Sequence, residues 1–443
     1  MDIDVSLQYG IAMKSNTVQS LVYALVGICF LTFSIAFCSC SEHHTASGAF
    51  VTVWKGVKDS TLRIPIVGNY TVTWYAADTP NDRHTETVSI SQEDAHSFPH
   101  PYTFTPPQDG EYVVEVSPEG VEYMQMGGLV RYGTFSTSFE SVDTVSFGSA
   151  LSLLSVLQFG KVRWKSMKAM FAGCENMTFA DTIDTPDLSE VDDMQRMFSK
   201  CKVFNAPLEH WNVSGVADMY EMFYGCSTFN QPLAAWDVSR VENMRGMFYG
   251  CYTFNQPLEG WKVSHVTSMG GMFAGCSNFN HPLAAWDVSH VTNMEGMLAG
   301  CYAFNQPLEG WNVSRVTNMS GMFAGCYTFN QPLERWNVSH VTEMGAMFAG
   351  CSTFNHPLAA WDVSRVTDMN TMFLECRSFN QPLDAWNVSS VVNMEGMFQS
   401  SAFNQPLLHW KLNAEVYVFN MFHDCPAAKQ PMVAKWKVAG YEL

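Results

Sequence analysis

Charge is scarce in this 443-residue chain, and positive charge is scarcer still. Asp, Glu, Lys and Arg make up 15% of residues, and 24 basic residues face 42 acidic ones, a net charge of −18. Nucleic acid and anionic lipid are recognised through clustered Lys and Arg, so both are poor candidate partners. The common signatures of catalysis are missing too. The chain has no HExxH, no phosphate-binding GxxxxGK, no GxSxG elbow and no Gly-rich dinucleotide fingerprint. Its 13 cysteines include no CxxC pair that would point to zinc. His, Asp and Ser recur in rows and never as one singular constellation. A catalytic centre needs a singular pocket, so no catalytic residue, metal or cofactor is expected.

What the chain does have is a repeat. Tryptophan recurs every 25 residues from Trp211 to Trp386, cysteine from Cys201 to Cys376, and a Phe-Asn pair from Phe204 to Phe379. A propeller blade needs ~40 residues and a tetratricopeptide unit ~34, so this period fits one coil of a leucine-rich-type solenoid. Within the coil Phe304–Thr328, Trp311 and Val313 alternate with Asn312 and Ser314, as in a short strand. Val316, Met319, Met322, Phe323 and Cys326 are then spaced by three and four, which predicts one or two helical turns. Pro307 falls in an extended leg and Gly325 near the helix end. The expected fold is an α+β solenoid, a leucine-rich-repeat-like right-handed coil stack with short parallel strands and short helices. Each Trp would lie over the next, about 4.8 Å away where strands pair.

The flanks divide the rest. Residues 1–40 read as a signal or lipoprotein leader: an apolar run from Leu21 to Phe37 follows Lys14 and ends in Cys38-Ser39-Cys40-Ser41. Met13 is a candidate start. Cys40 is the candidate lipid anchor; a cleaved signal and a retained anchor remain alternatives, and each exports the remainder. The membrane is then reached only through that N-terminal segment. Residues 48–126 hold short β-rich runs (Phe50–Trp54, Thr61–Pro65, Asn69–Trp74, Glu111–Val116) broken by Pro, Asp and Gly, which predict a small β-sandwich. Residues 127–160 are the expected junction and N-terminal cap, 161–425 the repeats, and 426–443 a C-terminal cap of degenerate sequence.

The text FNQPLxxWDVSxVTNMxGMFxGC resembles the 25-residue repeat of BspA-like leucine-rich-repeat surface proteins, over roughly 161–425. Upstream, Phe50–Lys55, Tyr70–Trp74 and Gly110–Val114 resemble strands of an immunoglobulin-like module of the polycystic-kidney type. After Trp74, however, the chain reads Tyr75-Ala76-Ala77-Asp78 where that module has Gly-Asp-Gly. The resemblance implies a cell-surface protein, lipid-anchored or secreted, that adheres to or binds other proteins such as host matrix or neighbouring-cell proteins. A structural envelope component or spacer making homotypic contacts is the alternative.

The ladders invite chemical readings that packing answers first. Stacked cysteines with parallel Cβ vectors at ~4.8 Å suit buried thiols better than disulfides. The Asn of each Phe-Asn pair is expected to turn inward and bond the backbone of the neighbouring coil. Asn212, Asn312, Asn337 and Asn387 head formal glycosylation sequons, but the same position is Asp237, Asp287 and Asp362 elsewhere. A turn-forming side-chain bond is the reading common to both residue types. One row is left over: Arg240, His265, His290, Arg315, His340 and Arg365 occupy one position in six consecutive coils. They read either as a solvated row paired with carboxylates such as Glu259, Glu309 and Glu334, or as a stripe for an acidic partner, stronger below pH ~6.5. Tyr252, Tyr302 and Tyr327 follow the ladder Cys in coils carrying PLEG or PLER, and are further candidate contacts.

Overall fold

The computed structural model describes residues 48–89, 102–124 and 149–438. The expected leader with Cys40, most of the 127–160 junction and the last five residues lie outside them.

Ten strands precede and open the repeats: β1 (Phe50–Gly56), β2 (Leu62–Ile64), β3 (Ile66–Gly68), β4 (Tyr70–Ala76), β5 (His84–Val88), β6 (Tyr102–Phe104), β7 (Gly110–Val116), β8 (Val121–Met124), β9 (Leu153–Gln158) and β10 (Thr178–Phe179). The main sheet runs β10-β9-β1-β7-β4-β5, and two short antiparallel pairs, β2–β6 and β3–β8, accompany it. Alternation explains why: in β1, Phe50 and Trp54 face the main core while Val51 and Val53 join a second cluster with Tyr75 and Val113. Trp74 stacks on Phe104 at 4.4 Å, tying β4 to β6. On the second face, Glu115 is buried but answered by Tyr75 Oη (2.9 Å) and by both terminal nitrogens of Arg83 (3.1 and 3.2 Å). The apolar run expected as a cap is β9. It pairs antiparallel with β1 and parallel with β10, so the sheet continues into the first repeat.

From Arg163 onward every repeat lies on the next through one parallel bridge, running from Asp193↔Asp218 to Asn393↔Tyr417. The expected strand at Trp311–Val313 is therefore misplaced: the paired position is Asn318, seven residues later. The expected helix is overturned as well. Among the described residues the repeats contain no helix; α1 (Pro431–Val438) comes after them. The three-and-four spacing belongs to consecutive tight turns. In Thr267–Cys276, Met272 N bonds Met269 O (3.1 Å), Ala274 N bonds Gly271 O (3.1 Å) and Cys276 N bonds Phe273 O (2.9 Å). The alternate amides reach the following repeat: Met269 N to Asn293 O (3.0 Å), Gly271 N to Glu295 O (2.6 Å), Phe273 N to Met297 O (2.9 Å) and Gly275 N to Ala299 O (2.7 Å). Gly271 (φ 63°) and Gly275 (φ 80°) supply the left-handed residues this zigzag requires. Its consequence is polar. Four peptide groups per repeat point their C=O to the preceding repeat and their N–H to the following one.

The remaining side chains fill three aromatic columns. Ladder Trp residues are buried, with near-parallel rings 6.4 Å apart for Trp261–Trp286 and 6.5 Å for Trp311–Trp336. From Trp236 to Trp410 each ladder indole N–H donates to a Leu carbonyl of the preceding repeat, as Trp311 Nε1 does to Leu283 O (3.0 Å). Phe304–Phe329 lie 6.2 Å apart, and Phe323–Phe348 5.7 Å. The Trp spacing exceeds the expected ~4.8 Å because the backbone pairs only at the turn column. At the far end Trp436 of α1 stacks on Trp410 (6.5 Å) and Phe422 (6.3 Å), closing the core.

Candidate functional site

The basic row is held by a short, repeated piece of geometry. An Asp or Asn carboxyl or amide oxygen accepts from the Ser N–H two residues on: Asp237 from Ser239 and Asp287 from Ser289 (3.1 Å each), Asn312 from Ser314 and Asn337 from Ser339 (3.2 Å each). This local bond is the turn-forming role expected of the Asn-Val-Ser triplets. A tight turn follows, Val241 N to Val238 O at 3.0 Å, whose two valines are buried. The residue between Ser and the second Val is thereby turned outward. Arg240, His265, His290, Arg315, His340 and Arg365 are all exposed. Two residues later the backbone pairs between repeats, for example Thr292 N to Thr267 O at 2.9 Å. Five steps of ~4.8 Å make a file of about 24 Å.

Among the described residues none of the six forms an ion pair within 4.0 Å; Glu309, one of the carboxylates expected to answer them, is engaged by Arg335 at 3.5 Å. The carboxylates beside the row are tied into their turns. Hydrogen bonds from Ser289 and Ser364 hold Asp287 and Asp362 below the usual carboxylate range, with the charges of His290 and Arg365 adding to the effect.

The three tyrosines share one repeat position, but Ser277 interrupts their stack. Tyr302 and Tyr327 stack at 5.0 Å, 47% and 50% exposed. Tyr252, 58% exposed, lies by Tyr224 and Tyr249, which stack on each other at 4.9 Å. Sequence reading missed Tyr224 and Tyr249. The available signal was Tyr-Gly-Cys where four later repeats have Ala-Gly-Cys.

The Phe-Asn amides need a correction. Each bonds the neighbouring repeat, as Asn280 Oδ1 accepts from Asn305 N (2.9 Å), but the side chains line the surface instead of the core. The next residue braces them: Gln306 Nε2 donates to Asn280 O at 3.0 Å. The interior column is instead the cysteines. They are buried free thiols, and from Cys201 to Cys376 each donates to a Phe or Leu carbonyl of the preceding repeat, as Cys351 Sγ does to Phe323 O at 3.1 Å. Burial pushes their pKa up and keeps them neutral. A shallow open cleft near the far end, lined by Trp386, Asp384 and His409, holds one ion pair, His409 Nδ1 to Asp384 Oδ2 at 2.5 Å.

No curated protein matches the chain. A family model does, in three overlapping stretches, residues 165–283, 257–359 and 331–436, which together span the repeats described above. Those matches and the 25-residue order of bridges, thiols and aromatic rings coincide, and the chain belongs to the family described as Mycoplasma protein of unknown function, DUF285.

Proposed function

We propose that this protein is a non-catalytic, surface-displayed binding protein whose repeats form a leucine-rich-type solenoid of the BspA-like kind and contact partner proteins along one face. The observation that carries this reading is the file Arg240, His265, His290, Arg315, His340 and Arg365: exposed in six consecutive repeats and without an ion-pair partner among the described residues, on a chain of net charge −18. Packing does not require it, since the turn is set by the flanking valines and the Asp or Asn two residues before the Ser. Repetition turns a weak contact per repeat into avidity. The stacked tyrosines add rigid amphipathic area of the sort enriched at interfaces. A leader carrying Cys40 would tether the array to the cell surface and present it to matrix or neighbouring-cell proteins of acidic character.

The test is binding of the full chain to a panel of such proteins, beside a variant with Arg240, Arg315 and Arg365 changed to Gln and another with His265, His290 and His340 changed to Gln. The arginine variant is expected to lose most binding at any pH. The histidine variant is expected to bind alike at about pH 5.5 and about pH 7.5, whereas the parent binds more tightly at the lower. Unaltered binding in both variants removes the stripe from the reading; homotypic association alone, with no heterologous partner, favours the spacer.

A further inference from the structure

One surface column is a stack of rings with a place missing. The residue after the ladder Cys is Tyr252, Ser277, Tyr302 and Tyr327 in four successive repeats. Tyr302 and Tyr327, one repeat apart, stack at 5.0 Å with planes 13° apart. Each ring leans over a glycine of the following repeat. A Cβ on Gly275 would meet Tyr252 Cε1 at 3.6 Å, one on Gly325 would meet Tyr302 Cε1 at 3.7 Å, and one on Gly350 would meet Tyr327 Cε1 at 3.6 Å. By the same rule a ring at position 277 would lie over Gly300. Ser277 leaves that space open, because its hydroxyl turns onto Gly275 O at 3.3 Å. Tyr252, with a serine on either side of it in the column, is accordingly more exposed (58%) than Tyr302 (47%). Two steps of the stack separate Tyr252 from Tyr302 by about 10 Å, which leaves room for one flat group about 5 Å from each ring.

The slot thus has two aromatic walls and a floor of glycine backbone. Ring faces are electronegative and attract a cation lying within ~6 Å of the centroid. The protein makes that contact itself. The Arg196 guanidinium lies 5.0 Å from the centroid of Tyr220, a residue of the next repeat, and that of Arg83 lies 4.3 Å from Tyr75. The first of these distances is half the width of the slot. A guanidinium is planar and more weakly hydrated than an ammonium, so it enters between two rings at a smaller desolvation cost than lysine does. Charge favours it over a neutral aromatic ring. The chain carries −18, and the stretches 246–255, 271–280 and 296–305 around the slot contain no charged residue, so no cation within them repels an incoming one.

We infer that the slot between Tyr252 and Tyr302 is a binding site for an arginine side chain of a partner protein, which completes the stack at the place Ser277 leaves empty. The inference rests on the reading of these tyrosines as contact residues and is independent of the basic row.

Nuclear magnetic resonance of Nα-acetyl-arginine amide, titrated with the full chain, tests it. The δ-methylene signal of the probe is expected to move upfield in the ring currents of the two walls, and the probe to bind more tightly than the acetyl amides of lysine and phenylalanine. Ser277→Tyr fills the slot and is expected to abolish the shift. Tyr252→Ala removes one wall and is expected to weaken binding about two- to fivefold. Circular dichroism identifies which variants are folded; both changes are at surface positions, and either suffices. No shift with the parent, an undiminished shift with folded Ser277→Tyr, or tighter binding of the phenylalanine probe overturns the inference. The variant with Arg240, Arg315 and Arg365 changed to Gln is expected to take the probe as the parent does, so failure of the slot and failure of the basic row are read separately.

Discussion

Thr371 occupies a position where Gly246, Gly271, Gly296, Gly321 and Gly396 stand in other repeats, and it adopts their left-handed backbone at φ 48°. A β-branched residue there is strained by roughly 1–2 kcal/mol. Thr371→Gly should therefore raise stability by about 1 kcal/mol, less what glycine adds to unfolded-chain entropy. The reverse change, Gly321→Ala, should cost about 1 kcal/mol. Its added Cβ would meet nothing closer than 3.9 Å, so the loss is conformational and not steric. Urea unfolding of both variants checks this; equal midpoints would refute the strain. The same glycines explain why the turns were misread. Val316, Met319, Met322, Phe323 and Cys326 bury one stripe at helical spacing, and two successive tight turns bury the same residues. Gly321 and Gly325, four apart inside a supposed helix at ~1 kcal/mol each, were the residues that spoke against it.

At the scale of the single turn, an acid-sensitive element recurs. Bonds from Ser239, Ser289 and Ser364 hold Asp237, Asp287 and Asp362 below their ordinary value. A carboxyl whose folded pKa is depressed contributes stability above its unfolded value of ~3.9, and that contribution disappears as pH falls through the folded value. Asn312 and Asn337 make the same bond without titrating. A triple Asp→Asn variant should accordingly lose less stability between about pH 4 and about pH 2 than the parent. Urea midpoints across that range decide; parallel curves would sink the idea. Asp218 runs the other way: burial raises it, so Asp218→Asn, the residue found at Asn243, is not expected to share the effect. The exposed place of the Arg and His row was readable at this scale from Val-Ser-x-Val. The outward placement of the Phe-Asn amides was not, because an Asn beside a buried Phe carries no sign of which way the chain bends next.

For the molecule as a whole, the period made the internal columns legible, since a residue identical in eight repeats must meet its own kind. The joint with the β-rich part was not legible: Leu153–Gln158 looks like any apolar run, and only its pairing with β1 shows that one sheet serves both regions. Because each repeat bonds only its neighbours, stability should be a sum of repeat and interface terms. Excision of the 25 residues Phe304–Thr328 should leave a folded chain with modestly lower melting temperature. Removing 20 of those residues instead should shift every ladder below the cut and abolish the cooperative transition. Differential scanning calorimetry of the two deletions distinguishes them, and equal damage from both would contradict nearest-neighbour stacking.

The spacing of successive repeats is uneven across their width. Near-parallel rings are separated by 5.7 Å in the Phe323 column, 6.2 Å in the Phe304 column and 6.5 Å in the Trp311 column, while the bridged backbone sits at ~4.8 Å. Each repeat is thus a wedge, thin at the bridged side and thick at the indoles. Wedges laid in order trace an arc, so every duplication in the gene turns the array further round in addition to lengthening it. Repeat number then sets the angle swept, while the wedge of a single repeat sets the radius of the inner rim.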